Sequence, residues 1–289
     1  MLVRIGITGH WGSMRDVWNE YAHMSMDGNG YWKWFQLVYE PPYDYLVIIN
    51  ATAEDLSDIP KERIVVFHQE PNIPINPYLW GSWSSPSKDF LHVAFHSKSY
   101  NNLQWHLGKS YRWLCKYPIQ KTRCLSTIVS GKYVDPGHRK RIDFLKALEN
   151  SVDIDVFGSN VFQYKHYQGS LPCGRKEDGL FPYRYTFNAE NNSIKNYVTE
   201  KLVDAILSEC LCFYWGCPNL ENILDSQSFV RLDLDDIPGS IRIVQQAIRE
   251  DWYSQRIERI RAMKQKILHT LQFFPRLETV LLGVSYKVT

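Results

Sequence analysis

No run of about 20 apolar residues occurs in this chain, which excludes a helical membrane span. A formal net charge of +2 leaves no basic surplus of the kind that marks a nucleic-acid binder. The six cysteines (Cys115, Cys124, Cys173, Cys210, Cys212 and Cys217) contain no Cys-x-x-Cys pair. Four of them lie in or beside strand-like sequence, so they read as reduced thiols. There is no Gly-x-Ser-x-Gly elbow and no His-Glu-x-x-His, and serine-hydrolase and zinc-protease chemistry lose their usual signatures with them. The glycines of "GITGHWG" stand at 6, 9 and 12, a spacing that is not the dinucleotide fingerprint, and the next strand, "DYLVIIN", does not end in an acid. "LDLDD" at 232–236 resembles a metal-binding Asp-x-Asp, but it sits just before a Pro-Gly pair and reads as a solvated turn. No metal site and no cofactor are expected.

What the chain does have is 289 residues, 44% of them hydrophobic, enough for one large core or two medium ones. Short apolar runs alternate with amphipathic stretches: "VRIGITG", "DYLVIIN", "RIVVFHQE" and "FLHVAFHS". This is the pattern of buried parallel strands with crossovers. After "KYPIQKTR", which reads as a linker, the pattern restarts with "CLSTIVS", "HRKRIDFLKALEN", "DIDVFG", "YRYTFNAE", "VTEKLVDAILSE" and "CLCFYW". The fold class expected is therefore α/β, with two Rossmann-like domains facing across a cleft. The expected division is an acceptor-side domain over residues 1–118, a donor-binding domain over 119–250 and a helical segment over 251–289 that packs on both.

That last segment places Ile257, Ile260, Ile267, Leu268 and Leu271 near one helical face, with Arg256, Arg259, Arg261, Lys264 and Lys266 largely elsewhere. A packed helix with a solvated basic face is the plain reading. Membrane-surface contact through residues 253–273 is the alternative. The first residues, "MLVRIGITGHWG", read as a strand and not as a signal peptide, so the expected location is the cytoplasm and the sequons at Asn50 and Asn191 are expected to be chance matches.

One stretch poses a question. In "NAENNSIKNYVTEKL", residues 188–202, Thr199 is a plausible N-cap and a helix starts with Glu200 and Lys201. A helix N-terminus carries about half a positive charge, so Glu200 belongs there and Lys201 does not. Arg141 lies at or soon after the start of another helix, and Asn191 follows a strand end. Facing one point beside exposed helix N–H groups, Arg141, Asn191 and Lys201 would compose a diphosphate site.

The run "NAENNSIKNYVTEKLVDAILSECLCFYWGCPN" resembles, without a gap, the donor-binding signature of the α-1,3-fucosyltransferases, glycosyltransferase family ten, whose two-domain fold is of the GT-B type. "RIGITGHWG", "RIVVFHQEPNIPIN" and "HRKRIDFLKAL" are similar to further parts of the bacterial members. Ala189 stands where the family usually has phenylalanine, and residues 158–185 show little likeness.

The resemblance implies an inverting transferase that moves a sugar, L-fucose from GDP-fucose in the first instance, to a hydroxyl of a glycan acceptor. It implies Glu70 as general base, Arg141 and Lys201 on the diphosphate, Asn191 and Tyr197 lining the same site, and Glu200 on the ribose. Nucleotide sugar and glycan acceptor are thus the expected partners, with no nucleic acid. Two readings stay open: another donor such as UDP-xylose on the same fold, and a glycan-binding module without catalysis. The second draws on the aromatic stretches "GYWKWFQLVYEPPYDY" and "YLWGSWSS".

Overall fold

A computed structural model describes residues 2–70, 89–96 and 99–283. The first part of the chain runs β1 (Val3–Gly9), α1 (Met14–Ala22), β2 (Tyr31–Trp32), β3 (Phe35–Val38), β4 (Tyr45–Ile49), β5 (Ile64–Phe67), β6 (His92–Ala94) and α2 (Tyr111–Lys116). It continues with β7 (Arg123–Val129), α3 (Pro136–Leu148), β8 (Asp155–Gly158), β9 (Tyr167–Gly169), β10 (Tyr183–Ala189) and α4 (Glu200–Leu207). The last elements are β11 (Leu211–Trp215), β12 (Phe229–Arg231), α5 (Ile237–Arg249), α6 (Trp252–Lys266) and α7 (Phe273–Leu281).

These elements form two compact units, each on its own six-stranded sheet. The first comprises residues 1–104, 109–116 and 269–289, and the second residues 105–108 and 117–268. The reading from sequence closed the first domain at 118 and set 251–289 apart. In the structure α6 belongs to the second unit and α7 to the first.

In the first unit the strand order is β2-β3-β1-β4-β5-β6, parallel except for the β2–β3 hairpin. All four residues of β5 are buried, as expected of a continuous apolar run in a sheet covered on both faces. The hairpin was not recognised from sequence, because its residues read as aromatic faces for a sugar. Trp32 and Phe35 are instead in the core, and Trp32 stacks on Phe274 of α7 at 5.5 Å. The other aromatic stretch, residues 78–85, lies outside the described residues.

In the second unit the order is β12-β11-β10-β7-β8-β9, all parallel. Numbered within the unit, that is the order 3-2-1-4-5-6 of a Rossmann sheet read from its other edge. Chain direction across the sheet reverses between β7 and β10. In open parallel sheets, ligands bind outside the carboxyl ends of the two strands at such a reversal. The expected class, α/β with two Rossmann-like units, is the one found.

The three aspartates of "LDLDD" serve the start of α5. Asp236 caps it by accepting from Gly239 N at 3.0 Å, Asp233 Oδ1 accepts from Asp235 N at 2.9 Å, and the Asp235 carboxylate pairs with Lys140 of α3. The basic residues of α6 are largely engaged within the unit: Arg259 with Asp225 at 3.0 Å, Arg261 with Glu209 at 3.1 Å and Lys264 with Glu209 at 2.8 Å. Arg259, Arg261 and Lys266 are exposed, as the sequence pattern indicates, while Lys264 is only 2% exposed and departs from it. No helix among the described residues is long and apolar enough to cross a membrane.

Candidate donor site

The strands β7 and β10 end at Val129 and Ala189, and Arg141 bridges their carboxyl ends. Its Nη1 donates to Ala189 O at 3.2 Å and its Nη2 to Ser130 Oγ at 3.4 Å. The guanidinium is therefore fixed at the reversal point of the sheet. Its Nε is buried and has no hydrogen-bond partner among the described residues. Burial also pulls the Arg141 pKa below its ordinary value, partly offset by Glu190, Tyr164 and Glu200. A buried cation with an unused N–H carries an energetic cost that an anionic ligand would relieve.

The approach of α3 to this point depends on Gly137. Its backbone N donates to Asn191 O at 2.9 Å, and a Cβ there would lie 2.2 Å from Glu190 O. Asn191 in turn hydrogen-bonds His138 through its side chain.

Thr199 caps α4 as expected, its hydroxyl accepting from Lys201 N at 3.3 Å. Beneath that cap lies a carboxylate that sequence reasoning did not single out, Glu190, fully buried at 0% exposure. Its Oε1 accepts from Thr199 N at 3.0 Å and from Tyr214 Oη at 3.2 Å, while its Oε2 accepts from Thr199 Oγ1 at 2.7 Å. The motif letters around it acquire reasons here. A Cβ on Gly216 would lie 2.4 Å from Glu190 Cγ, and Asn219 and Asn196 bond reciprocally at 2.8 and 2.9 Å, closing the 190–199 loop against β11.

The misplaced lysine has its anions. Lys201 Nζ lies 3.1 Å from Glu200 Oε1 and 3.7 Å from Glu190 Oε2. Burial opposes the Lys201 charge, but the two carboxylates outweigh it and raise the pKa above the ordinary lysine value. Burial likewise opposes charge on Glu200. Lys201, Lys176 and His106 outweigh it and hold that carboxyl well below the usual range. For Glu190 burial wins, and its pKa is raised.

Lys176 is the second residue that the sequence did not reveal. It lies in the 158–185 stretch and bonds Asp204 Oδ2 at 2.6 Å, while Asp204 Oδ1 accepts from His106 N at 2.8 Å. A lysine after a Cys-Gly-Arg loop has no local pattern that would have marked it.

Arg141, Asn191, Tyr197, Glu200 and Lys201 thus all belong to the second unit, in the β10–α4 loop, the start of α4 and the α3 helix that meets them. Tyr197 is buried within that loop. Glu70 belongs to the first unit. It stands three residues past β5, half-buried, with its backbone N donating to Asn50 Oδ1 at 3.0 Å.

Residues 119–241 match the family model described as glycosyltransferase family 10 (fucosyltransferase) C-term. Over 57 residues the chain is 35% identical to alpha-(1,3)-fucosyltransferase FucT of Helicobacter pylori, a match that takes in 20% of this chain and 12% of that protein. A crystal structure of an α1,3-fucosyltransferase aligns with 93% of this chain and 90% of its own, at a TM-score of 0.51 and 16% sequence identity. At that identity the likeness shows a shared fold, the GT-B type. The match to the family-10 model falls within the second unit and takes in the stretch 188–219 whose resemblance was read from the sequence.

Proposed function

We propose, from the match of residues 119–241 to the family-10 model, that this chain is a glycosyltransferase that moves L-fucose from GDP-fucose to a hydroxyl of a glycan acceptor. The observation that carries this reading is Arg141, buried at the reversal point of a Rossmann-order sheet with its Nε unpartnered among the described residues and the capped start of α4 alongside. A diphosphate satisfies what that arrangement leaves open: an anion for the guanidinium and for the helix N-terminus.

In the proposed reaction the Glu70 carboxylate takes the proton of the acceptor hydroxyl as its oxygen forms a bond to the anomeric carbon. The bond from that carbon to the diphosphate breaks on the opposite face, and its electron pair leaves with the nucleoside diphosphate. The configuration inverts. Arg141 and Lys201 stabilise the charge that builds on the leaving oxygens, so neither a general acid nor a metal is called for. Glu200, held ionised by Lys201 and Lys176, would accept from the two ribose hydroxyls. Asn191 and Tyr197 would line the same site. The cysteines, none of them in a disulfide, support a cytoplasmic place of action.

Calorimetric titration of GDP-fucose, GDP-mannose, UDP-xylose and UDP-glucose into the wild type and Lys201→Ala tests this reading. GDP-fucose should bind, and loss of a charge-assisted contact of about 1.5–3 kcal/mol should weaken it roughly ten- to a hundredfold in a variant whose circular dichroism is unchanged. Transfer by the wild type should survive EDTA. Equal affinity in both proteins removes Lys201 from the donor site, preferential binding of a UDP-sugar changes the donor, and an absolute requirement for added Mn²⁺ or Mg²⁺ removes the metal-free mechanism.

A further inference from the structure

Past the end of β5 the sheet stops supplying partners to the backbone, and in this chain side chains take over. His68 N still donates to Ala94 O at 3.1 Å. Beyond it, Asn101 Nδ2 donates to His68 O, His96 Nε2–H donates to Gln69 O at 2.9 Å, and Asn50 Oδ1 accepts from Gln69 N at 2.7 Å and Glu70 N at 3.0 Å. Five consecutive backbone groups are satisfied, four of them by side chains that are buried: Asn50 at 6% exposure, His96 at 8% and Asn101 at 1%. A loop at a strand end ordinarily bonds water. Ordering buried polar side chains around three residues costs conformational entropy and desolvation, which a merely connecting segment does not require.

Asn50 is the clamp that reaches the Glu70 backbone. It comes directly after β4, has φ 62°, and donates its own N–H to Phe67 O at 2.9 Å. Asparagine is among the few residues that enter this left-handed region at small cost while keeping a short side-chain acceptor. In the sequence the same residue is the first of an Asn-Ala-Thr sequon. Its burial and its two accepted bonds leave it unsuited to carry a sugar and in need of another account.

We infer that Asn50 is a positioning residue for Glu70, fixing the backbone of residues 69 and 70 so that the carboxylate meets the acceptor hydroxyl in one orientation. The inference rests on the reading of Glu70 as the general base. A base must stand within about 2.6–3.2 Å of the proton-bearing oxygen, and a displacement of about 1 Å can cost on the order of a hundredfold in rate.

The test compares single-turnover transfer and donor affinity in Asn50→Gly, Asn50→Asp, Glu70→Gln and the double variant Asn50→Gly/Glu70→Gln. Glycine keeps the left-handed backbone and deletes the acceptor, whereas aspartate keeps an acceptor oxygen. Asn50→Gly should slow transfer roughly ten- to a hundredfold at unchanged donor affinity, and Asn50→Asp should stay within a few-fold of the wild type at its own optimum. Adding Asn50→Gly to Glu70→Gln should cost at most a few-fold more, because a residue that acts through Glu70 has nothing left to position.

Wild-type transfer by Asn50→Gly overturns the inference, and so do effects that multiply in the double variant. Undiminished transfer by Glu70→Gln instead overturns the base assignment, and the inference falls with it. Should Asn50→Gly fail to fold, Asn50→Asp decides by its pH profile. A carboxylate bonded to the Glu70 N–H raises the pKa of the Glu70 carboxyl, so the acid limb of the rate should move to higher pH. An unmoved acid limb overturns the positioning role.

Discussion

At the start of α4, Lys201 holds its charge between Glu200 at 3.1 Å and the fully buried Glu190 at 3.7 Å. That a cation at the start of α4 needed an anion was legible from Thr199, Glu200 and Lys201 alone. That one of the anions is Glu190 was not, because nothing local distinguishes a fully buried carboxylate from a loop acid one residue after a strand. Gly137 was equally silent, since a glycine in the first turn of a helix looks like a weak position and not a contact surface. Its substitution is a sharp test of the site. Alanine is the better helix former by about 0.5–1 kcal/mol, but a Cβ only 2.2 Å from Glu190 O and 2.4 Å from Asn191 O meets backbone that cannot swing away. Displacement should win, with a net loss of roughly 1–3 kcal/mol, a lower melting temperature and weaker GDP binding as α3 is pushed from the 190–191 backbone. A Gly137→Ala protein with wild-type melting and GDP affinity contradicts the idea that this contact seats Arg141.

At the scale of elements, strands with continuous apolar runs were legible: β1, β4, β5, β6, β8, β10 and β11 all lie within runs read as strands, and β7 starts one residue before its run. The misses have physical causes. β9 and β12 are three residues each, too short for a period, and β2 and β3 are written in aromatics that also suit a sugar. The start of α5 was taken for a turn because Asp-Ile-Pro-Gly has turn chemistry. A proline in the first helical turn is tolerated, however, since its missing N–H has no partner there. In α6 a single residue was misread for the opposite reason: Lys264 looks like a solvent residue, yet it is buried against Glu209, with Arg261 on the same carboxylate. Removing one member of a buried pair leaves the other uncompensated, so Glu209→Gln should cost about 3–5 kcal/mol. Burial opposes the Glu209 charge, but Lys264 and Arg261 hold its pKa below the ordinary value. A depressed carboxyl stabilises the fold above its unfolded pKa of about 4.3 and loses that contribution as pH falls through the folded value. Urea midpoints should therefore separate wild type from Glu209→Gln at pH 7 and converge as the pH drops below about 4. Equal midpoints at pH 7 would show that α6 is held by its apolar face alone.

For the whole molecule, the restart of the strand pattern after residue 118 announced two α/β units, but not that the chain returns to the first unit after finishing the second. Residues 253–273 read as one amphipathic helix, and what divides them is a single widened π turn over Ile267–Leu271, which no composition signal marks. Past it, α7 supplies Phe273 and Phe274 to the first unit, both at 0% exposure. Phe274 stacks on Trp32 at 5.5 Å and on Phe35 at 6.1 Å, so Phe274→Ala deletes the ring that ties the C-terminal helix to the β2–β3 hairpin. A loss of roughly 3–5 kcal/mol is expected, all of it in the first unit. Every residue assigned to the nucleotide lies in the second unit, whereas Glu70 lies in the first. Mild urea should then separate the two roles in Phe274→Ala: transfer fails at a denaturant concentration where calorimetry still finds wild-type affinity for GDP. Adding GDP should raise the later unfolding transition and leave the earlier one in place, because a ligand stabilises only the state that binds it. A Phe274→Ala protein that loses GDP binding and transfer together, in one transition that GDP raises, would mean that the donor site does not stand on the second unit alone.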